Sequence, residues 1–258
     1  MKNLITALLV IAPFLCFAQS GSKMKMYTIH EDRVKPSMVG EYESLIKELV
    51  SLLKEHSIED GGFKASVTVD FTYRYVSPIN SMGDLDKSLF ATLSEKAGKE
   101  KVDGIFKKLD KCYDEHGTYI IKLDEDLSYQ PGGIDPFPQG QNWREYHFWH
   151  FAPSNLEAAA EKAKKIKEFF TSKGSPVHYR VYRSGFGTVG NYFMVAFAAP
   201  DAVTFSKGIA DARASYGDEY KKLIGELRRL TMKYEEVSGM IREDLSYVPV
   251  KKAGAGAK

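Results

Sequence analysis

The chain holds two cysteines among its 258 residues. Cys16 lies in an apolar N-terminal stretch, so Cys112 alone remains in the body of the protein. One thiol makes no internal disulfide, and no C-x-x-C-H sequence for covalent haem is present. Cys112 falls on the apolar stripe of an expected helix, where free cysteine packs as a small hydrophobe. No basic stripe occurs, and the formal charge is only +2 with both signs interspersed. Nucleic-acid binding therefore has no support. No nucleophile-elbow sequence occurs, which leaves serine-hydrolase chemistry without a motif. Gly185, Gly187 and Gly190 open no helix and read as turn residues rather than a phosphate loop. The apolar run Leu4–Phe17 is too short for a comfortable membrane span. With Lys2 ahead of it and Cys16-Phe17-Ala18 before Gln19, residues 1–18 read as a signal peptide cleaved near Ala18. Pro13-Phe14-Leu15 lacks the small residues that precede a lipidated cysteine. The mature protein is expected to be exported, periplasmic or extracellular, with no membrane span after cleavage.

What the chain does contain is a repeat. Glu-Asp-Leu-Ser-Tyr occurs at Glu125–Tyr129 and again at Glu243–Tyr247, a spacing of 118 residues. The element order ahead of each copy also matches, so the chain reads as a duplication. Each half opens on a short β-like run, Met26–His30 or Arg144–Phe151. Pro36-Ser37 or Pro153-Ser154 follows, with the serine expected as a helix N-cap. Helical stripes come next: Tyr42, Leu45, Ile46, Leu49, Leu52 and Leu53, then Leu156, Ala159, Ala160, Ala163, Ile166 and Phe170. Two extended runs follow in each half, Phe63–Val69 with Phe71–Val76, and Pro176–Arg183 with Tyr192–Ala198. A second helix carries Val102 to Tyr113 in half one and Tyr216 to Tyr234 in half two. Thr118–Leu123 and Val237–Ile241 close the halves.

The order β-α-β-β-α-β, taken twice, is the ferredoxin-like arrangement. Residues 24–129 form the first expected repeat and 143–250 the second. Between them, 130–142 is a linker: Gln130 to Gly140 holds three prolines and three glycines in eleven residues. The basic tail, 251–258, is expected to be disordered.

Alternation gives each strand two faces. Tyr27, Ile29, Ala65, Val67, Val69, Phe71, Tyr73 and Tyr75 suit the helix-covering face of half one. Tyr146, Phe148, Val177, Tyr179, Val181, Phe193, Val195 and Phe197 suit that of half two. The opposite faces carry Thr28, His30, Ser66, Thr68, Thr72 and Arg74 in half one. In half two they carry His147, Trp149, His178, Arg180, Tyr182 and Met194. A mixed polar and aromatic face suits an enclosed cavity between two facing sheets.

Tandem units of this kind resemble the dimeric α+β barrel superfamily, here fused into one chain. That superfamily includes antibiotic-biosynthesis-type monooxygenases, haem-degrading enzymes, chlorite-dismutase-like haem proteins and NIPSNAP-like proteins. The resemblance covers nearly the whole mature chain, rests on element order, and implies fold more than function. It implies an α+β fold of two ferredoxin-like repeats packed sheet to sheet as a pseudo-dimeric barrel.

The candidate ligand-binding set is His147, Trp149, His178, Arg180 and Tyr182, with His30 and Arg74 from half one. Histidine serves as acid or base, arginine holds an oxyanion, and the aromatic rings stack on a planar ligand. Three readings stay open. The barrel binds a small planar or aromatic ligand between its sheets. Alternatively it is a cofactor-independent oxygenase, with His147 or His178 as base and Arg180 polarising an oxygen. In the third, the interior is filled and the protein is structural. Non-covalent haem on His147 or His178 is what the chlorite-dismutase-like resemblance allows. No metal site is expected: His147 and His150 alternate across their strand, and Asp124-Glu125-Asp126 and Glu243-Asp244 read as solvated turns. The pentapeptide reads as a repeated structural edge, leucine inward and tyrosine against the partner sheet. A fused pair satisfies its own dimer contact, so a monomer or weak homo-oligomer is expected.

Overall fold

The computed structural model describes residues 24–249. The signal peptide expected at 1–18 and the tail at 251–258 lie outside them. Half one runs β1 (Lys25–Val34), α1 (Val39–Glu55), β2 (Phe63–Thr68), β3 (Thr72–Ile79), α2 (Leu89–Ala97), α3 (Lys99–Leu109) and β4 (Tyr113–Tyr129). Half two runs β5 (Trp143–Phe151), α4 (Leu156–Ser172), β6 (Tyr179–Ser184), β7 (Asn191–Ala199), α5 (Ala202–Leu230) and β8 (Thr231–Tyr247). All strand pairs are antiparallel, and they close into one barrel in the order β1-β3-β2-β8-β5-β7-β6-β4. Within each half the order is that of a ferredoxin-like sheet, β4-β1-β3-β2 and β8-β5-β7-β6. The halves meet at two seams, β2 against β8 and β4 against β6. Closure leaves no strand edge for a second chain to extend. Among the described residues, no helix is long and apolar enough to cross a membrane.

The helices cover the outside of the barrel. Tyr42, Leu45, Ile46, Leu49, Leu52 and Leu53 of α1 are all buried, as their spacing predicts. Burying each such side chain contributes roughly 1.5–3 kcal/mol. The expected caps are different: Ser37 and Ser154 lie inside single 3-10 turns begun by Pro36 and Pro153, and neither α1 nor α4 has a side-chain cap. The proline's fixed φ starts the turn without one. Asp201 does cap α5, accepting from the Thr204 backbone N–H at 2.7 Å.

The repeated pentapeptide forms the seams. At β4–β6, Asp124 stands opposite Val181 and Tyr129 opposite Tyr179, five steps on β4 against two on β6. At β2–β8, Arg242 stands opposite Ala65 and Tyr247 opposite Phe63, the same mismatch. Each is a large β-bulge. The serine fills the gap in the ladder: Ser128 Oγ accepts from Val181 N at 2.8 Å and donates to Asp124 O at 2.6 Å. Ser246 Oγ accepts from Ala65 N at 2.9 Å and donates to Arg242 O at 2.7 Å. The bulge throws Leu127 and Tyr129 into the helix-side core of half two, and Leu245 and Tyr247 into that of half one. The two halves thus exchange core residues. Asp124 is no solvated turn; it is buried and paired with Arg183 at 2.6 Å.

Several sequence expectations are corrected. Strands β4 and β8 are 17 residues each, so Tyr113 and Tyr234 are strand residues rather than helical ones. Cys112 is buried in the turn between α3 and β4. Val69 and Phe71 do not cover helices. They flank the turn between β2 and β3, where Phe71 takes a φ of +61° and both are exposed. The largest correction concerns the faces of β1 and β5. Tyr27, Ile29, Tyr146 and Phe148 point into the barrel, while His30, His147 and Trp149 face outward on the helix side. Where both faces of a strand are covered, apolarity no longer tells which side is which.

Candidate functional site

The seven candidate residues separate into four places. Arg180, Tyr182 and Arg74 line the barrel interior. His147 and Trp149 line a chamber between the half-two sheet and its helices. His30 sits on the outer face of half one. His178 is exposed just before β6, near the start of α5.

The barrel interior is nearly filled. Its remaining cavity is about 50 Å³, space for one or two waters. Arg74 bonds Glu31 at 2.7 Å, and Tyr119 donates to the same carboxylate at 3.2 Å. Arg144 donates to the linker carbonyls of Gln141 and Pro136, and Arg180 reaches the Asp135 carbonyl at 3.4 Å. Among the described residues, Nε and Nη2 of Arg180 have no partner, although the residue is only 2% exposed. Burial pushes the Arg180 pKa down from its ordinary value. Thus the ligand chamber expected between the sheets is occupied by side chains, because tyrosines, arginines and the linker's Pro136 and Phe137 fill it.

The half-two chamber is larger, about 120 Å³, and mostly apolar. Its floor is the sheet: Trp149, Val181, Phe193, Val195 and Phe197. Its roof is α4 and α5, through Ala163, Ile166, Phe170, Ala212, Tyr216 and Leu227. The roof helix α5 is kinked at Gly217, where φ is +66° and ψ −154°. Only glycine adopts that backbone without strain.

One corner of the chamber is polar. On β5 and β8, His147 stands opposite Glu236, and Trp149 opposite Tyr234. The Tyr234 hydroxyl donates to Glu236 Oε1 at 2.5 Å and lies 3.0 Å from His147 Nδ1. With the tyrosine proton committed to Glu236, Nδ1–H is assigned as the second donor and Nε2 keeps its lone pair. The Trp149 and Tyr234 rings lie 4.5 Å apart, and His147 lies 5.0 Å from the Phe197 ring. Desolvation lowers the His147 pKa, with Glu236 opposing and Arg213 adding to the fall. Burial and the bond to Glu236 raise that of Tyr234. The corner therefore holds a neutral, oriented imidazole beside an aromatic wall.

Sequence reasoning missed Tyr234, Glu236 and Arg213. Tyr234 extended the helical stripe from Tyr216 in spacing, and nothing local announced the strand beginning at Thr231.

No protein-family model matches the chain, and no curated protein does. Solved structures do. An anthrone oxidase-like protein superposes with a TM-score of 0.61 at 12% identity, covering 92% of this chain and 98% of the other. A candidate monooxygenase from Lactobacillus acidophilus NCFM gives 0.52 at 10% identity, covering 86% and 95%. A mutant chlorite dismutase from Candidatus Nitrospira defluvii gives 0.50 at 10% identity, covering 85% and 94%. At such identities the similarity is one of fold, the α+β barrel.

Proposed function

We propose that the protein binds a small, planar, single-ring aromatic molecule in the half-two chamber, with His147 as a base at its edge. The carrying observation is the neutral imidazole, held by Tyr234 and Glu236, at the corner of an apolar aromatic cavity of about 120 Å³. Known dry cavities of roughly this size take benzene. The test is titration with phenol, followed by quenching of tryptophan fluorescence. Saturable binding that Ala212→Phe abolishes, by filling the roof, supports the reading. Absence of saturation, or binding indifferent to Ala212→Phe, removes it.

A second reading makes the same site a cofactor-independent oxygenase. His147 Nε2 would take the acidic O–H proton of the bound ring; a ring carbon of the resulting anion would bond to dioxygen, the abstracted proton would return to give a hydroperoxide, and loss of water would leave one oxygen atom as a ring carbonyl and the other in the water. Its support is the oriented imidazole that burial keeps neutral, with a lone pair on Nε2 able to accept a proton. Dioxygen uptake with hydroquinone, lost in His147→Gln while phenol still binds, would support it. Haem fits poorly: the chamber takes one ring, and a macrocycle of four would require α5 to swing away at Gly217. An absorption spectrum of the purified protein without a Soret band would agree.

We propose that the protein is exported and is a monomer or weak homo-oligomer. The first rests on residues 1–18 and is checked by N-terminal sequencing of protein from its own host. The second rests on the closed barrel and is checked by native mass.

A further inference from the structure

The outer face of half one holds a cluster that the proposed function does not use. On β1, His30 and Asp32 are two residues apart and share a face. On β4, His116 stands directly opposite Asp32, and Thr118 opposite His30. One ligating atom from each of His30, Asp32 and His116 lies within 4.8 Å of the others. His30 Nε2 is 3.2 Å from Asp32 Oδ1, and His116 Nδ1 is 4.0 Å from the same oxygen.

Asp32 is the unusual member. It is only 5% exposed. Its Oδ2 accepts from the Tyr42 hydroxyl at 2.6 Å, but Oδ1 has no hydrogen-bond partner among the described residues. A buried carboxylate oxygen without a partner is costly. His30 Nε2 approaches Oδ1 without the alignment of a hydrogen bond, the relation of two donors that share a cation rather than a proton. The outer contacts suit the same purpose. Thr118 Oγ1 meets His30 Nδ1 at 2.9 Å and can fix the tautomer that leaves Nε2 free. Tyr42 holds the carboxylate, and Tyr113 stacks on the His116 ring at 5.2 Å between centroids.

We infer that His30, Asp32 and His116 form a site for a divalent first-row transition ion, zinc in the simplest case. Two imidazoles and one carboxylate are a zinc donor set that leaves a position open. The side chains of His30 and His116 are 43% and 56% exposed, so the open position faces water. A modest turn of the exposed His116 side chain brings its nitrogen to coordinating range.

The test uses the untagged full-length protein, stripped with EDTA. Zinc is titrated calorimetrically, and cobalt(II) by visible absorption. One equivalent is expected, with ligand-field bands from cobalt held by nitrogen and oxygen. Thr118→Val should weaken zinc binding about 10- to 100-fold, as loss of an orienting partner does. His30→Ala and His116→Ala should weaken it further. Asp32→Asn disturbs the Tyr42 contact and can unfold the chain, whereas His116 is exposed and its variant keeps the test decisive. Three results would overturn the site: no zinc uptake, as when His30 simply pairs with Asp32 as a cation; affinity unchanged in His116→Ala; or affinity lost in His147→Ala but kept in His30→Ala. The last would move the ion to the Glu145, His147 and Glu236 group of half two.

Discussion

The two halves place a histidine at the same register point and surround it differently. His30 on β1 faces Thr118 of β4, and His147 on β5 faces Glu236 of β8. Two residues on, the facing pair is Asp32 with His116 in half one and Trp149 with Tyr234 in half two. The His147 side chain is only 13% exposed, against 43% for His30. The cause lies in the crossover helices. Half two spans this region with one long helix, α5, 29 residues through its kink. Half one uses two short helices, α2 and α3, of 9 and 11 residues. A long helix roofs the corner and makes an apolar chamber with a dry base. Short ones leave it open to water, where polar ligating atoms can gather. One scaffold thus supplies two chemistries by changing what covers a sheet corner.

The comparison is broken most forcefully at the seams, where the halves are alike. Leu127→Ala and Leu245→Ala empty equivalent, fully buried positions, and each should cost roughly 2–5 kcal/mol in urea unfolding. If one proved nearly neutral, the exchange of core residues would be one-sided. Ser128→Ala and Ser246→Ala each strip a partner from a ladder N–H. A loss of about 1–3 kcal/mol is expected from each, measured the same way.

Differences between the halves sharpen with the next pair. Arg180→Met should stabilise the protein by about 1–2 kcal/mol, since it removes a buried charge, two of whose three guanidinium nitrogens lack a partner among the described residues. A destabilised variant would mean that Arg180 anchors the linker strongly through Asp135. The smallest effect is in pH. Burial depresses His147, so the unfolded chain binds its proton more readily than the folded one. Its contribution is fully present above the ordinary histidine pKa of about 6.5 and is lost as pH falls from there through the folded value. His178 shifts in the same direction. Melting temperature should therefore fall less steeply below pH 6.5 in His147→Phe than in the parent.

Much of the scaffold was legible in the sequence. The pentapeptide, the Pro-Ser starts and the helical stripes placed the repeat, because burying a helix face imposes a period that local sequence must carry. Leu127 and Leu245 inward, and Tyr129 and Tyr247 in the core of the opposite half, also agree with the repeated-edge reading. The site was less legible. Arg74, Arg180 and Tyr182 do face the interior, but His147 and Trp149 were assigned to the wrong side of β5. Phe148 and Trp149 are both bulky and aromatic, so alternation gave no direction.

Order of elements, period and helix faces are properties of neighbours along the chain, and the sequence determined them. Which side of β1 and β5 looks inward was decided by the closing of the barrel, through the strands that pair with them. The meeting of His147 with Tyr234, or of Asp32 with His116, was decided the same way. Those partners lie some 85 residues apart, and only the register of a ladder, set by tertiary packing, puts them opposite each other.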